Sequence, residues 1–361
     1  MMQNLSSNFL LEGAILRQAP DRVLLMMGPF RHVHPSDLKT EDDCLGSDDH
    51  LLLHEFYGDQ SWKMIPSWSE EVDLADFLPY LKEQMDLFPR YIQVEEFEGP
   101  AAEEFQRSFQ SIQQRIADQE IQKAVPTVYE TCSQVPGPGD IAFWLWNLLQ
   151  QNSSALYIYG FWNQHHGILG ATPELLFQRQ GQDVRTMALA GTYPKSSAIN
   201  VQDILTDEKE MHEHEVVVQD IAQVLKLYGD IQVDATGVLE LPHLCHLQTW
   251  MRVHLNEPMS DENLIQRLHP TPALGVYPRQ QGYQWMQNLP TERSRKYFGA
   301  PLLFHTQDQS TCLVAIRNIQ WHQDKTWIGS GCGVVRQSRF EKEWDELSLK
   351  RQSVKKLLGL L

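Results

Sequence analysis

Short apolar runs separated by turns are the dominant pattern of the chain from Leu156 onward. They are rich in β-branched and aromatic residues and are interrupted by turn segments such as Gly181-Gln182-Asp183. This spacing predicts a meander of antiparallel strands. The runs expected to form strands cover residues 156–162, 167–170, 175–179, 184–189, 302–305, 311–320 and 327–331, with an earlier strand at 23–28 and an edge strand at 125–128.

Helical periodicity occurs between groups of these strands. Phe105, Phe109, Ile112 and Ile116 recur at helical spacing and predict an amphipathic helix over residues 101–122. Further helices are expected at 141–149 after a turn at 137–140, at 207–227, 261–268 and 281–289, and from residue 340 onward. Because single long helices separate groups of strands, the pattern predicts an α+β layer fold and not a βαβ repeat.

The acidic composition limits the classes of partner. The 361 residues carry a formal net charge of −17, which argues against nucleic acid and against an anionic membrane surface. No apolar run approaches membrane-spanning length, and the N-terminus has no pattern of a secretory signal. Five cysteines are widely spaced without a CxxC pair. We therefore expect reduced thiols and a cytoplasmic protein with no nucleic-acid or membrane partner.

Two acidic segments predict a cation site. At the start of the helix predicted for 207–227, Glu210 and Glu213 share a face with apolar Val217. In the last predicted helix, Glu343 and Glu346 share another face. A carboxylate that points inward must be paired or must hold a cation, and two such helices can supply oxygen ligands for Mg²⁺.

A zinc site is disfavoured in the first acidic segment. His212 and His214 are two residues apart, so on a helix they point in different directions, whereas paired helical zinc ligands are four apart. Capping or supporting roles suit both histidines better. The glycine-rich segment 329–333 likewise lacks the Lys-Ser/Thr pair of a nucleotide-binding P-loop.

Three single residues have both an ordinary and a functional interpretation. Lys123 follows a predicted helix, where a solvated cation is favourable to the helix dipole. Glu174 can be an ordinary residue at the start of a strand. Arg317 lies in an apolar run on the same strand face as Ala315 and Leu313, which favours an arginine that reaches a buried anion.

Seven segments occur together in the order that is typical of one family. They are GATPELL (170–176), LAGT (189–192), EKE with EH (208–214), LHPTPA (268–273), AIR (315–317), GCGVV (331–335) and EWDE with a following lysine (343–350). The chain resembles the chorismate-utilising enzymes, which include isochorismate, salicylate, anthranilate and aminodeoxychorismate synthases. The resemblance covers roughly residues 100–361 and is specific because the seven motifs keep their order.

The resemblance implies a fold and a metal. The expected fold is one chorismate-binding domain over residues 1–361, in which two stacked, mainly antiparallel sheets are flanked by helices. Residues 1–95 would be a divergent N-terminal part, and residues 100–361 would be the motif-bearing core. The resemblance also implies Mg²⁺ held by Glu213 and Glu346, with Glu210 and Glu343 nearby.

Within the family, two positions favour the isochorismate branch. Aminodeoxychorismate synthases typically have a nucleophilic lysine where this chain has Ala190, and the water-using branch has a lysine at the place of Lys123. The implied activity is an Mg²⁺-dependent isochorismate synthase acting on chorismate, in menaquinone or siderophore biosynthesis. Salicylate synthase is the nearest alternative, and an aminodeoxychorismate or anthranilate synthase is a more distant one. A non-catalytic chorismate-binding protein is a further alternative. Pro126, a departure from the family strand, favours it, whereas Lys123 and Glu174 argue against it because a binding protein does not need both a base and an acid.

The resemblance also implies roles for individual residues. Lys123 would be the general base on water that attacks C2 of the ring, which requires a pKa below the ordinary ~10.4. Glu174 would be the general acid for the C4 hydroxyl, with a pKa raised by a dry pocket. Arg317 would bind the enolpyruvyl carboxylate. The remaining implied substrate contacts are Ala190, Gly191, Thr192, His246, Thr249, Ala273, Leu274, Gly331, Gly333 and Lys350.

Overall fold

The computed structural model describes residues 7–33, 49–58, 61–151, 153–194, 201–241, 244–292, 295–307 and 309–361. The strands are β1 Gly13–Arg17, β2 Arg22–Met27, β3 Arg31–Val33, β4 His50–His54, β5 Ser61–Ile65, β6 Trp68–Asp73, β7 Lys123–Ala124, β8 Thr127–Cys132, β9 Tyr157–Trp162, β10 His166–Thr172, β11 Leu175–Gln180, β12 Asp183–Pro194, β13 Gly229–Val233, β14 Gly237–Glu240, β15 Leu244–Leu255, β16 Val276–Tyr277, β17 Pro301–Thr306, β18 Gln309–Val314, β19 Asn318–His322 and β20 Lys325–Gly331. The α-helices are α1 Leu74–Leu87, α2 Ala102–Ala117, α3 Pro138–Leu149, α4 Val201–Thr206, α5 Glu208–Leu225, α6 Asp261–Leu268 and α7 Phe340–Leu357.

Two large antiparallel sheets form the centre of the molecule. The eight-stranded sheet has the order β6-β2-β1-β9-β10-β19-β20-β8, and the ten-stranded sheet has the order β13-β15-β12-β11-β18-β17-β4-β5-β3, with β14 pairing beside β15. A third pair, β16 with β7, is separate. Strands from before residue 100 pair with later strands in both sheets, β1 with β9 and β4 with β17. The α+β prediction is confirmed.

The sheets are stacked face to face. One apolar cluster contains residues of both, for example Ala14 and Met26 from the eight-stranded sheet and Leu51 and Leu302 from the ten-stranded sheet. A second cluster packs α1, α3 and α7 on the outer face of the eight-stranded sheet. A third packs α5 and α6 on the ten-stranded sheet. The central strands of the sheets, such as β9 and β10, are therefore buried on both faces, which explains their continuous apolar runs.

The single meander predicted after residue 156 is wrong in one respect. Strands β9 and β10 belong to the eight-stranded sheet, whereas β11 and β12 belong to the ten-stranded sheet. The chain crosses between the sheets at Pro173 and Glu174, where proline cannot donate a ladder hydrogen bond. A second crossing, at residues 315–317, divides the strand predicted for 311–320 into β18 and β19.

The two crossings lie side by side. The N–H of Ala171 donates to the carbonyl of Arg317 (3.1 Å), and the N–H of Val314 donates to the carbonyl of Glu174 (3.1 Å). Arg317 has a left-handed backbone with φ of +54°, so strand alternation does not apply to it. This arrangement brings Glu174 and Arg317 to the same place between the sheets.

The predicted helices are largely confirmed. Asp207 caps α5, because its carboxylate accepts from the N–H groups of Lys209 and Glu210. Two predictions are wrong. The turn predicted at 137–140 is the first turn of α3, with Pro138 at the start, where its missing N–H costs nothing. The helix predicted at 281–289 is a pair of short 3₁₀ segments separated by Gly282, which has a φ of +67°.

Candidate active site

A cavity of about 530 Å³ lies beside the two sheet crossings. Residues from several motifs that are distant in sequence line it together. The predicted site residues that line the cavity are Glu174, Ala190, Gly191, Thr192, Glu213, His246, Ala273, Leu274, Arg317, Gly331, Gly333 and Lys350. Because these motifs meet at this cavity and could act there on one molecule, it is the candidate active site.

Five apolar or small residues that the sequence analysis missed also line the cavity. They are Val125, Pro173, Leu189, Phe298 and Ile316. Four of them are next to, or two residues from, predicted site residues, so their position in the motifs was an available signal. Phe298 had no such signal, since it reaches the wall from a loop after β16.

Glu174 is placed for general acid chemistry. It lies at the crossing between β10 and β11, where its N–H donates to Thr172 Oγ1 (3.1 Å). Burial raises the pKa of Glu174 to about 7, although Lys123, Arg317 and Lys350 act in the opposite direction. A carboxylic acid whose pKa is near 7 can hold a proton at neutral pH and donate it during a reaction.

Lys123 is buried and not solvated, so the helix-end interpretation is wrong. The residue is 0 % exposed and lies in β7, which pairs with β16. Its Nζ lies 2.9 Å from Glu213 Oε1 and forms an ion pair with it. Among the described residues, the ammonium has no acceptor that meets the geometry of a hydrogen bond. Burial by itself would raise the pKa of Glu213, but Lys123 holds that pKa below its usual value. Lys123 thus reaches the cavity through a lining carboxylate.

The glycine motif after β20 leaves room for this ion pair. A Cβ on Gly333 would lie 2.1 Å from Glu213 Oε1 and 2.9 Å from Lys123 Cε. Any larger residue at 333 would displace the pair. Pro126 does not disturb it, because it lies in the short link between β7 and β8, and β8 forms the edge of its sheet.

Arg317 and His246 form a polar wall of the cavity. Burial lowers the pKa of His246 to about 3, with a further contribution from Arg317, so the imidazole is neutral near pH 7. Its Nδ1 lies 2.9 Å from the carbonyl of Gly191 and must carry the proton. Nε2 is then the acceptor that faces Arg317 NH2 at 3.4 Å. This contact orients the guanidinium while leaving its charge for an anion.

The backbone conformation of Gly191 explains why a glycine lies in this wall. It has a φ of +70° and lies where the register of β12 and β15 shifts between Ala190 and Thr192. The bulge turns the Gly191 carbonyl toward His246, and the N–H of Thr192 donates to Glu210 Oε2 (3.0 Å). Substitution at 191 would strain this left-handed position.

Carboxylates from α5 and α7 approach each other, as the acidic segments predicted. Lys209 Nζ contacts Glu210 Oε1 (3.0 Å) and Glu343 Oε1 (3.3 Å), bridging the two helices. Lys350 contacts Glu346 Oε1 (2.5 Å) and donates to the carbonyl of Gly331 (2.8 Å).

The electrostatics of these carboxylates fit a divalent cation. Burial and then Glu346 raise the pKa of Glu343 to about 7, and burial and then Glu213 raise that of Glu210. Such repulsion among oxygen donors is what a hard cation relieves. Among the described residues no three His, Cys, Asp or Glu side chains already surround a common point, since lysines hold these carboxylates.

Thr249 does not line the cavity, contrary to prediction. Its hydroxyl lies 2.8 Å from His214 Nε2 and 2.8 Å from Thr236 Oγ1. Burial lowers the pKa of His214 to about 4, whereas His212 is exposed. The two histidines point in different directions, as expected. Thr249 supports α5 through its contact with His214.

Comparison with known proteins decides the family. The family model described as "Chorismate binding enzyme" matches residues 63–359. The chain belongs to the chorismate binding enzyme family. The match begins earlier than the predicted residue 100, at β5, which agrees with the pairing of N-terminal strands into both sheets.

Relatives of this chorismate binding enzyme include proteins of the isochorismate branch. A salicylate biosynthesis isochorismate synthase of Pseudomonas aeruginosa is 30 % identical over 54 % of this chain and 42 % of its own length. The isochorismate synthase MenF of Bacillus subtilis is 30 % identical over 62 % of this chain and 49 % of its own length. The alignments therefore span less than half of each of these curated relatives.

A solved structure has the same fold. The menaquinone-specific isochorismate synthase MenF of Escherichia coli superposes with a TM-score of 0.79 at 20 % identity, covering 98 % of this chain and 90 % of that one. Within the described ranges of this chorismate binding enzyme, no helix has the length and apolar character needed to cross a membrane.

Proposed function

We propose that this chorismate binding enzyme is an Mg²⁺-dependent isochorismate synthase. The observation that carries the proposal is that Glu174, with a pKa raised to about 7, and Arg317 line one cavity whose carboxylate Glu213 is paired with buried Lys123. The cavity thus combines a candidate acid, a candidate base and an anion-binding group. The relatives named above as isochorismate synthases support the same activity.

The proposed reaction moves a hydroxyl group without a net change of atoms. Lys123, as the free amine, would take a proton from water while the water oxygen bonds to C2 of the ring. The ring double bonds shift, the C4–O bond breaks, and Glu174 would give its proton to the departing hydroxyl. One water enters and one water leaves.

The other lining residues would bind and orient the substrate. Arg317 would pair with the enolpyruvyl carboxylate, and neutral His246 would keep that guanidinium in place. Apolar Val125, Leu274 and Phe298 would exclude bulk water. Glu213 and Glu346, with Glu210 and Glu343 nearby, would hold Mg²⁺, which when bound would neutralise the ring carboxylate and withdraw electron density from the ring.

The proposal treats the described chain as one functional domain. Cavity residues come from both sheets. The N-terminal strand β1 pairs directly with β9, and β4 pairs directly with β17. Removing residues 7–99 would expose interior strands of both sheets, so the N-terminal part is expected to be needed for folding.

The test of the activity is incubation of the full chain with chorismate and Mg²⁺, followed by chromatography of the products. We expect isochorismate, and we expect EDTA to abolish its formation and added Mg²⁺ to restore it. Salicylate with pyruvate would instead identify a salicylate synthase. An aminated product formed with ammonia would identify an amine-forming synthase, and binding without turnover would identify a non-catalytic protein.

Glu174→Gln is expected to lower kcat by about 10²–10⁴-fold, because glutamine cannot donate the proton to the C4 hydroxyl. Wild-type activity should also fall as pH rises through about 7, since Glu174 is protonated below its raised pKa and ionised above it. The residual activity of the variant should not show this fall as pH rises. Glu130→Gln, which alters an ion pair with Arg351 outside the cavity, is the control. Full activity of the Glu174 variant would remove this residue from the mechanism.

A further inference from the structure

Arg317 occupies an unusual backbone conformation for a residue with a side chain. Its φ of +54° lies in the left-handed region, where a Cβ crowds the backbone. Such a conformation persists only when the surrounding structure holds it. Specific contacts must therefore hold Arg317 in this conformation.

Side-chain packing leaves Arg317 room on one side. The residue borders the candidate active site and also a second cavity of about 310 Å³, whose other walls are mainly leucines such as Leu156 and Leu241. Because Arg317 borders two cavities, close packing alone does not fix its side chain. The direction of its guanidinium depends on the His246 contact and on the backbone that carries it.

Two buried polar side chains hold that backbone. Tyr159, on β9, donates from its hydroxyl to the carbonyl of Ile316 (2.8 Å). Asn318 donates from Nδ2 to the Tyr159 hydroxyl (2.9 Å) and to the carbonyl of Ala315 (2.6 Å). Both side chains are 0 % exposed. Together these bonds fix the carbonyl groups of the two residues before Arg317 and tie them to the residue after it.

The direction of these hydrogen bonds is unambiguous. Burial raises the pKa of Tyr159, so the phenol keeps its proton throughout the neutral range. Its single O–H is given to Ile316, and its lone pairs accept from Asn318. Neither Tyr159 nor Asn318 lines the active-site cavity.

We propose that Tyr159 and Asn318 are positioning residues for Arg317, and that they set the affinity of the enzyme for the enolpyruvyl carboxylate. The inference rests on the proposed function, in which Arg317 binds that carboxylate. Tyr159 and Asn318 act through the Arg317 backbone and do not touch the substrate.

The test begins with Tyr159→Phe, which keeps the ring and removes only the hydroxyl. The KM for chorismate should rise about 5- to 20-fold, the size expected for loss of one or two buried hydrogen bonds. The kcat should stay within about twofold, because the carboxylate contact is made equally in the ground and transition states. Tyr157→Phe, two residues earlier on the same strand, is the matched control and should leave KM unchanged.

A double-mutant cycle separates positioning from general destabilisation. In an Arg317→Ala background, Tyr159→Phe should raise KM by less than about twofold, because the residue through which it acts is absent. Equal effects of Tyr159→Phe with and without Arg317, or an unchanged KM in an otherwise active enzyme, would overturn the positioning role alone. A wild-type protein that neither binds nor converts chorismate would overturn the proposed function and this inference with it.

Discussion

Lys123→Met is expected to lower kcat by about 10²–10⁴-fold while chorismate still binds, because methionine fills the site without a basic nitrogen. Lys123 is fully buried beside Glu213, at 2.9 Å, and its ammonium has no aligned hydrogen-bond acceptor among the described residues. An ammonium with unused N–H groups can donate to a water in the cavity, and the amine that remains after loss of a proton can take a proton from that water. Steady-state kinetics and a chorismate binding titration measure the two parts of the expectation.

Loss of the ion pair must be separated from loss of the base. Lys123→Met leaves the buried carboxylate of Glu213 without its partner, so the variant should also be less stable. Adding Glu213→Gln to Lys123→Met should restore part of the stability but none of the turnover. Lys63→Met, at another buried lysine outside the cavity, is the control for burying methionine in place of lysine. Normal turnover by the Lys123 variant would refute the base.

Arg295→Met is expected to cost about 3–5 kcal/mol in the free energy of unfolding, since it leaves Glu292 as an uncompensated buried charge. Both side chains are 0 % exposed, and Arg295 NH1 lies 3.0 Å from Glu292 Oε2. Glu292 also accepts from the N–H of Thr127 (2.7 Å) and from Tyr57 (2.6 Å). The guanidinium carbon lies 3.3 Å from the centre of the Phe56 ring.

The same arginine supports two walls of the active site. Its guanidinium donates to the carbonyl of Leu274 (2.7 Å) and to that of Val125 (3.2 Å), and both residues line the cavity. Urea denaturation followed by circular dichroism would measure the loss of stability. The control is Arg252→Met, which removes the exposed pair with Asp234 and should cost at most about 1 kcal/mol. Similar losses in the two variants would contradict the special weight given to the buried pair.

A double variant tests the cause of this loss. If the cost of Arg295→Met comes from the unpaired carboxylate, then Arg295→Met with Glu292→Leu should be more stable than Arg295→Met alone. If the cost comes from lost packing against Phe56, the second substitution should add a further loss. The comparison uses the same urea series.

Local patterns were sufficient for half of the described strands and for most of the helices. Strand alternation and helical spacing depend on neighbours two to four residues apart, so α2, α3, α5, α6 and α7 and ten of the twenty described strands were predicted. The strands before residue 100 other than β2, the strands β7 and β13 to β16, and the helices α1 and α4 were not predicted. The first turn of α3 at Pro138 and the break at Gly282 were also missed, because proline and glycine acted differently from expectation there. The clustering of glutamates on one face each of α5 and α7 followed from the same spacing.

Site composition was predictable where ordered motifs occur, and less so elsewhere. Twelve predicted residues line one cavity because motif order carries information about a shared fold. Lys123 by itself suggested a solvated charge, and its burial follows from the pairing of β7 with β16. Thr249 lies three residues after the cavity residue His246 on the same strand, and its hydroxyl bonds to His214 instead.

The sequence by itself determined half of the described strands, the longer helices after residue 100 and which acids share a helical face, because these properties depend on near neighbours. The tertiary structure alone decided how the strands divide between two sheets, and therefore where the chain crosses from one to the other. Those crossings place Glu174 and Arg317 side by side and give Arg317 its left-handed backbone. Strand partners are distant in the chain, and their choice depends on burying both sheet faces at once, so no local pattern records it.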